Sequence, residues 1–93
     1  MRSRYTAFAR GDVEHLLRTW HPATRPTTLT LDPSTRWTQL EVLDRVGGGL
    51  FDTHGVVEFR AHHRQGPESG VLHERSRFVR EAGQWLYRDG AAR

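Results

Sequence analysis

The 93-residue sequence contains no cysteine and no lysine. The first absence excludes a disulfide framework, a thiolate zinc site and thiol chemistry. It fits a bacterial-type, cytoplasmic protein. The second makes all 14 basic residues arginine. We read that as codon bias from a GC-rich genome; anion recognition by the planar guanidinium fork is the functional alternative. Long apolar runs are missing too. No stretch approaches the roughly 20 apolar residues that cross a bilayer. The opening MRSRYTAFARGD has no apolar stretch of the kind a secretory signal carries, so no membrane partner is expected. A basic arm is also absent. Eleven acidic residues are interleaved with the arginines, net charge is only +3, and a nucleic-acid partner is not expected.

What is present suffices for one small domain over residues 1–93. Hydrophobic residues make up 35% of the chain and mean hydropathy is −0.72. Three Trp, four Phe and two Tyr nevertheless supply bulky core material. A chain this short buries roughly 60–70% of its unfolded surface, which leaves room for a single core.

Residues 2–20 read as helix in two pieces. Tyr5, Phe8 and Ala9 have one-face spacing. Gly11 suits a left-handed helix end and Asp12 can cap a second helix. Val13, Leu16, Leu17 and Trp20 form its apolar stripe. HPATRPTT is a loop. From about residue 35 the period becomes two. TRWTQLEVLDRV carries Leu40 and Val42 on one face, with Gln39 and Glu41 on the other. THGVVEFRAHHR carries Val57, Phe59 and Ala61 against Val56, Glu58, Arg60 and His62. QGPESG is expected as the loop before VLHERSRFVRE, and Ala82-Gly83 as the turn before QWLYRDG. Two helices followed by antiparallel strands make an α+β domain.

Closing a hairpin at 65–68 places Glu58 opposite Arg75, Phe59 opposite Glu74 and Gly55 opposite Phe78. Glu58–Arg75 then needs no function, since opposite charges across strands contribute about 0.2–1 kcal/mol. The other face is unusual, because Glu74 and Ser76 share it with Val57, Phe59 and Ala61. A carboxylate there must be paired, hydrogen-bonded or protonated. Three readings stay open for Glu74: a structural salt bridge to an N-terminal Arg or a place near the sheet rim, a pocket carboxylate, and a register slipped by one residue.

MRSRYTAF, WHPATRP, RWTQLEVL, GVVEFRA and HERSRFVREAGQWLYRDG, in that order, resemble the bacterial YchJ-like family, also labelled UPF0225. The resemblance implies an NTF2-like (cystatin-like) cone. In that fold N-terminal helices pack on a curved antiparallel sheet, with a pocket at the wide end. Many members add Cys-rich SEC-C motifs, which resemble zinc-binding knuckles. Neither motif stands in this sequence, so zinc binding is not carried over. Met1 falls where members often have an internal Met. The chain is thus expected to be either a short member or the core of a longer one.

The resemblance, with the way NTF2-like enzymes place proton-moving groups inside the cone, singles out positions to inspect. Glu74 and His21 are the catalytic candidates. Tyr5, Trp20, Arg25, Trp37, Ser76 and Tyr87 are the ligand-binding candidates, and Glu58 and His73 belong to the same blocks. In these roles Glu74 would act as a base and Arg25 would hold an anionic group. The bland alternative makes Trp20, Trp37, Trp85 and Tyr87 core. Ser76 lacks the context of a nucleophile elbow. VGGGL is a turn, since no Lys and helix follow it. Six His show no chelating pattern, and His62 and His63 point to opposite faces of a strand. No metal and no cofactor are expected.

Three functions stand side by side. One is an NTF2-like module holding a small molecule or a protein partner. Another is a small lyase, isomerase or hydrolase using Glu74. The third is a structural domain forming a homodimer through its open sheet face. The second requires a pocket lined by Glu74 near a His or Tyr; the third requires an apolar outer face.

Overall fold

A computed structural model describes residues 2–93; Met1, the first letter of the MRSRYTAF block, lies outside the described residues. Helices α1 (Arg2–Arg10) and α2 (Val13–Arg18) precede strands β1 (Thr35–Gly47), β2 (His54–Gln65), β3 (Glu68–Glu81) and β4 (Gln84–Ala92). The strands form one antiparallel sheet in the order β1-β2-β3-β4.

The helical junction is built by its two expected residues. Gly11 has φ +70°. Asp12 N–H donates to the Ala7 carbonyl at 2.8 Å and Gly11 N–H to that of Phe8 at 3.3 Å, the paired bonds of a Schellman turn. The Asp12 carboxylate accepts from His15 N–H at 3.1 Å and caps α2. The inward face of α1 differs from the expected one by a turn of one residue. Arg4 and Ala7 are buried, Tyr5 and Phe8 are half-buried, and Ala9 is exposed. Arg4 tolerates this because it finds partners beneath the helix. Its Nη1 donates to the Leu16 carbonyl at 3.1 Å and to Thr19 Oγ1 at 2.8 Å.

The helices bridge one face of the sheet from end to end. At β4, His21 N–H donates to the Tyr87 carbonyl at 2.7 Å and Tyr87 N–H to that of Thr19 at 2.8 Å, a short parallel bridge at Trp20. At β1, the Tyr5 and Phe8 rings meet Trp37 at centroid distances of 6.5 and 6.0 Å. Beneath them lies a core of Ala7, Leu16, Phe59, Ala61, Phe78 and Val79.

The β2–β3 register is the one the alternation implies, with Glu58 opposite Arg75 and Phe59 opposite Glu74. The loop is shorter than expected. Only Gly66 and Pro67 turn the chain, and Glu68, Ser69 and Gly70 are paired strand residues. Positive φ at Gly66 (+59°) ahead of a proline, whose ring fixes a negative φ, suits a tight II′ connection. Ala82 and Gly83 (φ +51° and +76°) turn β3 into β4.

Three bulges, which alternation cannot foresee, decide which side chains face inward. In β1 the register shifts at Thr38 and again at Leu43. The first shift turns Trp37 onto the inner face with Leu40 and Val42. The second turns Asp44 outward, within 3.4 Å of Arg75. In β4 a shift beside Arg88 sets Arg77 opposite Asp89 and Ser76 opposite Gly90. A regular ladder would instead have opposed Arg77 to Arg88, a like-charge pair.

The outer face is a lattice of ion pairs. His73 Nε2 lies 2.8 Å from Glu58, Arg75 Nη1 lies 3.2 Å from it, His62 contacts Glu41, and Arg77 pairs with Asp89. His73 and then Arg75 hold Glu58 below its ordinary 4.5, and Arg77 holds Asp89 below 3.8. Groups depressed on folding contribute stability above their unfolded values and lose it as pH falls through the folded ones. The contribution of these two carboxylates to urea stability should therefore be complete above about pH 5 and decline below about 4.5. Glu58→Gln should flatten that decline.

Candidate functional site

The bridge leaves a cleft of ≈ 220 Å³ between the helices and the inner face. Its roof is Arg4, Tyr5 and Phe8 of α1, with Trp20 just after α2. Trp37 closes the β1 side and Tyr87 the β4 side. The floor is Phe59 and Ala61 of β2, with Leu72, Glu74 and Ser76 of β3. Almost all of this lining is apolar, which makes the Glu74 carboxylate its conspicuous polar group.

Local geometry fixes that carboxylate. Ser76 Oγ donates to Glu74 Oε2 at 2.5 Å, and the Tyr87 hydroxyl lies 3.4 Å from the same oxygen. Oε1 has no partner among the described residues and is not sealed from solvent. Space for the group comes from Gly90 across the ladder, where a Cβ would overlap the Glu74 carboxylate. The β4 bulge is thus a condition of the site. Without it Asp89 would stand opposite Ser76 and add a second carboxylate beside the first.

Arg4 is the second charge in the cleft. Its guanidinium lies 4.5 Å from the Tyr87 ring centroid and 5.3 Å from that of Trp20. Burial pushes it down to about 10, opposed by the charges of Tyr87 and Glu74. Burial, then the Glu74 charge, pushes the Tyr87 phenol up to about 12, so it stays a neutral donor across the physiological range. Burial also raises Tyr5.

The fold brings together Glu74, Tyr5, Trp20, Trp37, Ser76 and Tyr87. His21 and Arg25 stand outside the cleft, in structural roles. His21 Nε2 contacts Glu81 at 2.9 Å and its Nδ1 accepts from Ala23 N–H. Arg25 Nε and Nη2 both donate to the Trp20 carbonyl. Both residues secure the chain where it leaves the sheet edge. Glu58 and His73 pair on the outer face. Arg4, Phe8, Phe59, Ala61 and Leu72 line the cleft without having been singled out as site residues. For the last three the inward alternation was a signal. For Arg4 the signals were its i, i+4 relation to Phe8 and the reading that offered Glu74 an N-terminal Arg as partner. No group of three metal-binding side chains occurs among the described residues, and no helix there is long and apolar enough to cross a membrane.

The family model described as YchJ, middle NTF2-like domain, matches residues 1–90. A UPF0225 protein of Streptomyces coelicolor is 59% identical over 90 residues, 97% of this chain and 69% of that protein. One from Streptomyces avermitilis is 53% identical over 97% of this chain and 61% of its own length. One from Corynebacterium efficiens is 52% identical, with shares of 94% and 66%. The chain thus spans 61–69% of the length of these relatives. The solution structure of RPA3114, a SEC-C motif containing protein from Rhodopseudomonas palustris, matches with a TM-score of 0.83 at 31% identity. That match covers 100% of this chain and 75% of the other.

Proposed function

This chain belongs to the UPF0225 family, as its YchJ-type middle NTF2-like domain, and from that premise we propose that it is a small-molecule-binding module. The observation carrying the proposal is the cleft itself. Concave, mostly apolar sites with few placed polar groups are the usual form of ligand sites. This one has aromatic walls and a single carboxylate whose Oε1 is left unbonded. Its volume is below the roughly 300–1,000 Å³ of drug-sized pockets, so the ligand is small. The three β-bulges support reading the sheet as the curved wall of a cone, since bulges bend strands. The lack of cysteine supports a cytoplasmic setting.

A second reading gives Glu74 chemistry. Two hydroxyls, from Ser76 and Tyr87, approach Oε2 and leave Oε1 of this cleft-lining carboxylate unbonded. That is how a general base is presented to a substrate proton. A small lyase, isomerase or hydrolase would use Glu74 in this way, with Tyr87 as its positioning donor. The homodimer reading has weaker support, because the outer face is charged rather than apolar.

Screening small aromatic and branched aliphatic fragments by saturation-transfer NMR tests the binding function. Fragments should bind the wild-type chain at millimolar concentration or below. Leu72→Trp should abolish that binding by filling the cleft from a position that is 38% exposed, where stability should change by about 1 kcal/mol or less. Absence of hits, or hits unaffected by Leu72→Trp, would remove the cleft as the site.

A further inference from the structure

Every carboxylate placed on the outer face has a cationic or imidazole partner: Glu41, Asp44, Glu58 and Asp89 each do. In the cleft the pattern is different. Glu74 and Arg4 carry opposite charges and lie against the same Tyr87 ring, Glu74 at its hydroxyl and Arg4 over its face. Yet no ion pair joins them among the described residues.

Each charge keeps unused bonding capacity. Glu74 takes both its hydroxyl contacts on Oε2 and leaves Oε1 without a partner. Arg4 uses Nη1 twice and leaves Nε and Nη2 without a partner. None of these three atoms is among the fully buried unpaired polar atoms, so each keeps some contact with solvent. The cleft also borders Trp20, whose Nε1–H is buried and unpartnered. Charges held in apolar surroundings without a direct counter-ion are costly. A ligand that satisfies both at once therefore gains more than one satisfying either.

Resting on the ligand-binding reading above, we infer that the cleft takes a small zwitterion of the α-amino-acid class with an apolar side chain. The ligand ammonium bonds to Glu74 Oε1. The carboxylate bonds to the free edge of the Arg4 guanidinium, where the planar fork matches two oxygens. The side chain lies among Phe8, Trp37 and Phe59. An apolar amine alone would leave Arg4 unsatisfied and meet its repulsion. An apolar acid alone would meet that of Glu74.

Calorimetric titration tests this with L-valine, L-leucine, L-phenylalanine and L-tryptophan, each alongside its decarboxylated amine and its deaminated acid. At least one amino acid should bind roughly ten-fold or more tightly than both its counterparts. Glu74→Gln keeps the side-chain shape and removes the charge. It should weaken that amino acid and its amine about ten-fold while leaving the acid equal or tighter, and its urea midpoint will show that the variant is folded. The zwitterion class is overturned if no amino acid binds while neutral fragments do, if an amine or acid binds as well as its parent, or if Glu74→Gln changes nothing. The binding function survives each of those results. It falls only if no apolar fragment enters the cleft, and the zwitterion class then falls with it.

Discussion

Arg4→Ala is expected to destabilise the fold by about 3–4 kcal/mol, a large share of the total for a domain of this size. Arg4 is 5% exposed and ties three elements together. Its Nη1 bonds join α1 to the Leu16 carbonyl at the end of α2 and to Thr19 just beyond. Its guanidinium carbon sits over the Trp20 and Tyr87 rings, and so reaches β4. Hydrogen bonds to charged groups contribute about 1.5–3 kcal/mol. A desolvated cation over an aromatic face contributes up to about 2. Desolvation of the guanidinium, the same effect that pushes Arg4 down to about 10, offsets part of that gain. Arg4→Lys should recover little, because a compact, strongly hydrated ammonium lacks the delocalised surface and the spread of donors with which the guanidinium meets both rings and both oxygen acceptors. Urea denaturation measures this as a lower midpoint at unchanged slope. A loss under about 1 kcal/mol would show that the helices are held to the sheet by something else.

Phe59→Ala should be comparably severe. Phe59 is 4% exposed and sits in β2 between Val42 of β1 and Glu74 of β3. Removing a buried phenyl costs about 3–5 kcal/mol through lost transfer energy and the cavity left behind. For a domain this size that lowers the melting temperature by roughly 15–25 °C. The ring also forms part of the cleft floor. Any fragment bound by the wild-type chain should therefore bind Phe59→Ala more weakly even at temperatures where the variant is folded. Phe59→Leu should lose far less of both. Equal melting temperatures for wild type and Phe59→Ala would mean that the sheet's inner face is not the core.

The β2–β3 register was legible because one apolar face and a short Gly-Pro connection fix it, and from it followed the inward Glu74. The helix pair was legible at Gly11 and Asp12 because capping is local chemistry. The bulges were not, because an inserted residue reflects a compromise between strands distant in sequence. A strict alternation from Leu40 and Val42 would turn Trp37 outward, and the role of Gly90 in seating Glu74 was invisible. Arg4 escaped notice for another reason. A charged residue at the edge of an apolar stripe reads as solvated unless its partners, here a carbonyl and a hydroxyl more than ten positions away, are known. Conversely, His21 and Arg25 carry chemistry suited to a site, but their bonds go to Glu81 and to the Trp20 carbonyl.

The three indole N–H signals in a ¹H–¹⁵N spectrum give the most direct view of whether the roofed inner face receives a ligand. Trp20 and Trp37 line the cleft, whereas Trp85 lies outside it, beneath Arg80 and beside Gly55. On titration with an apolar fragment or amino acid that binds, the Trp37 and Trp20 signals should move together and saturate while Trp85 stays in place. Movement confined to Trp85, or binding detected with all three indoles unmoved, would contradict the account.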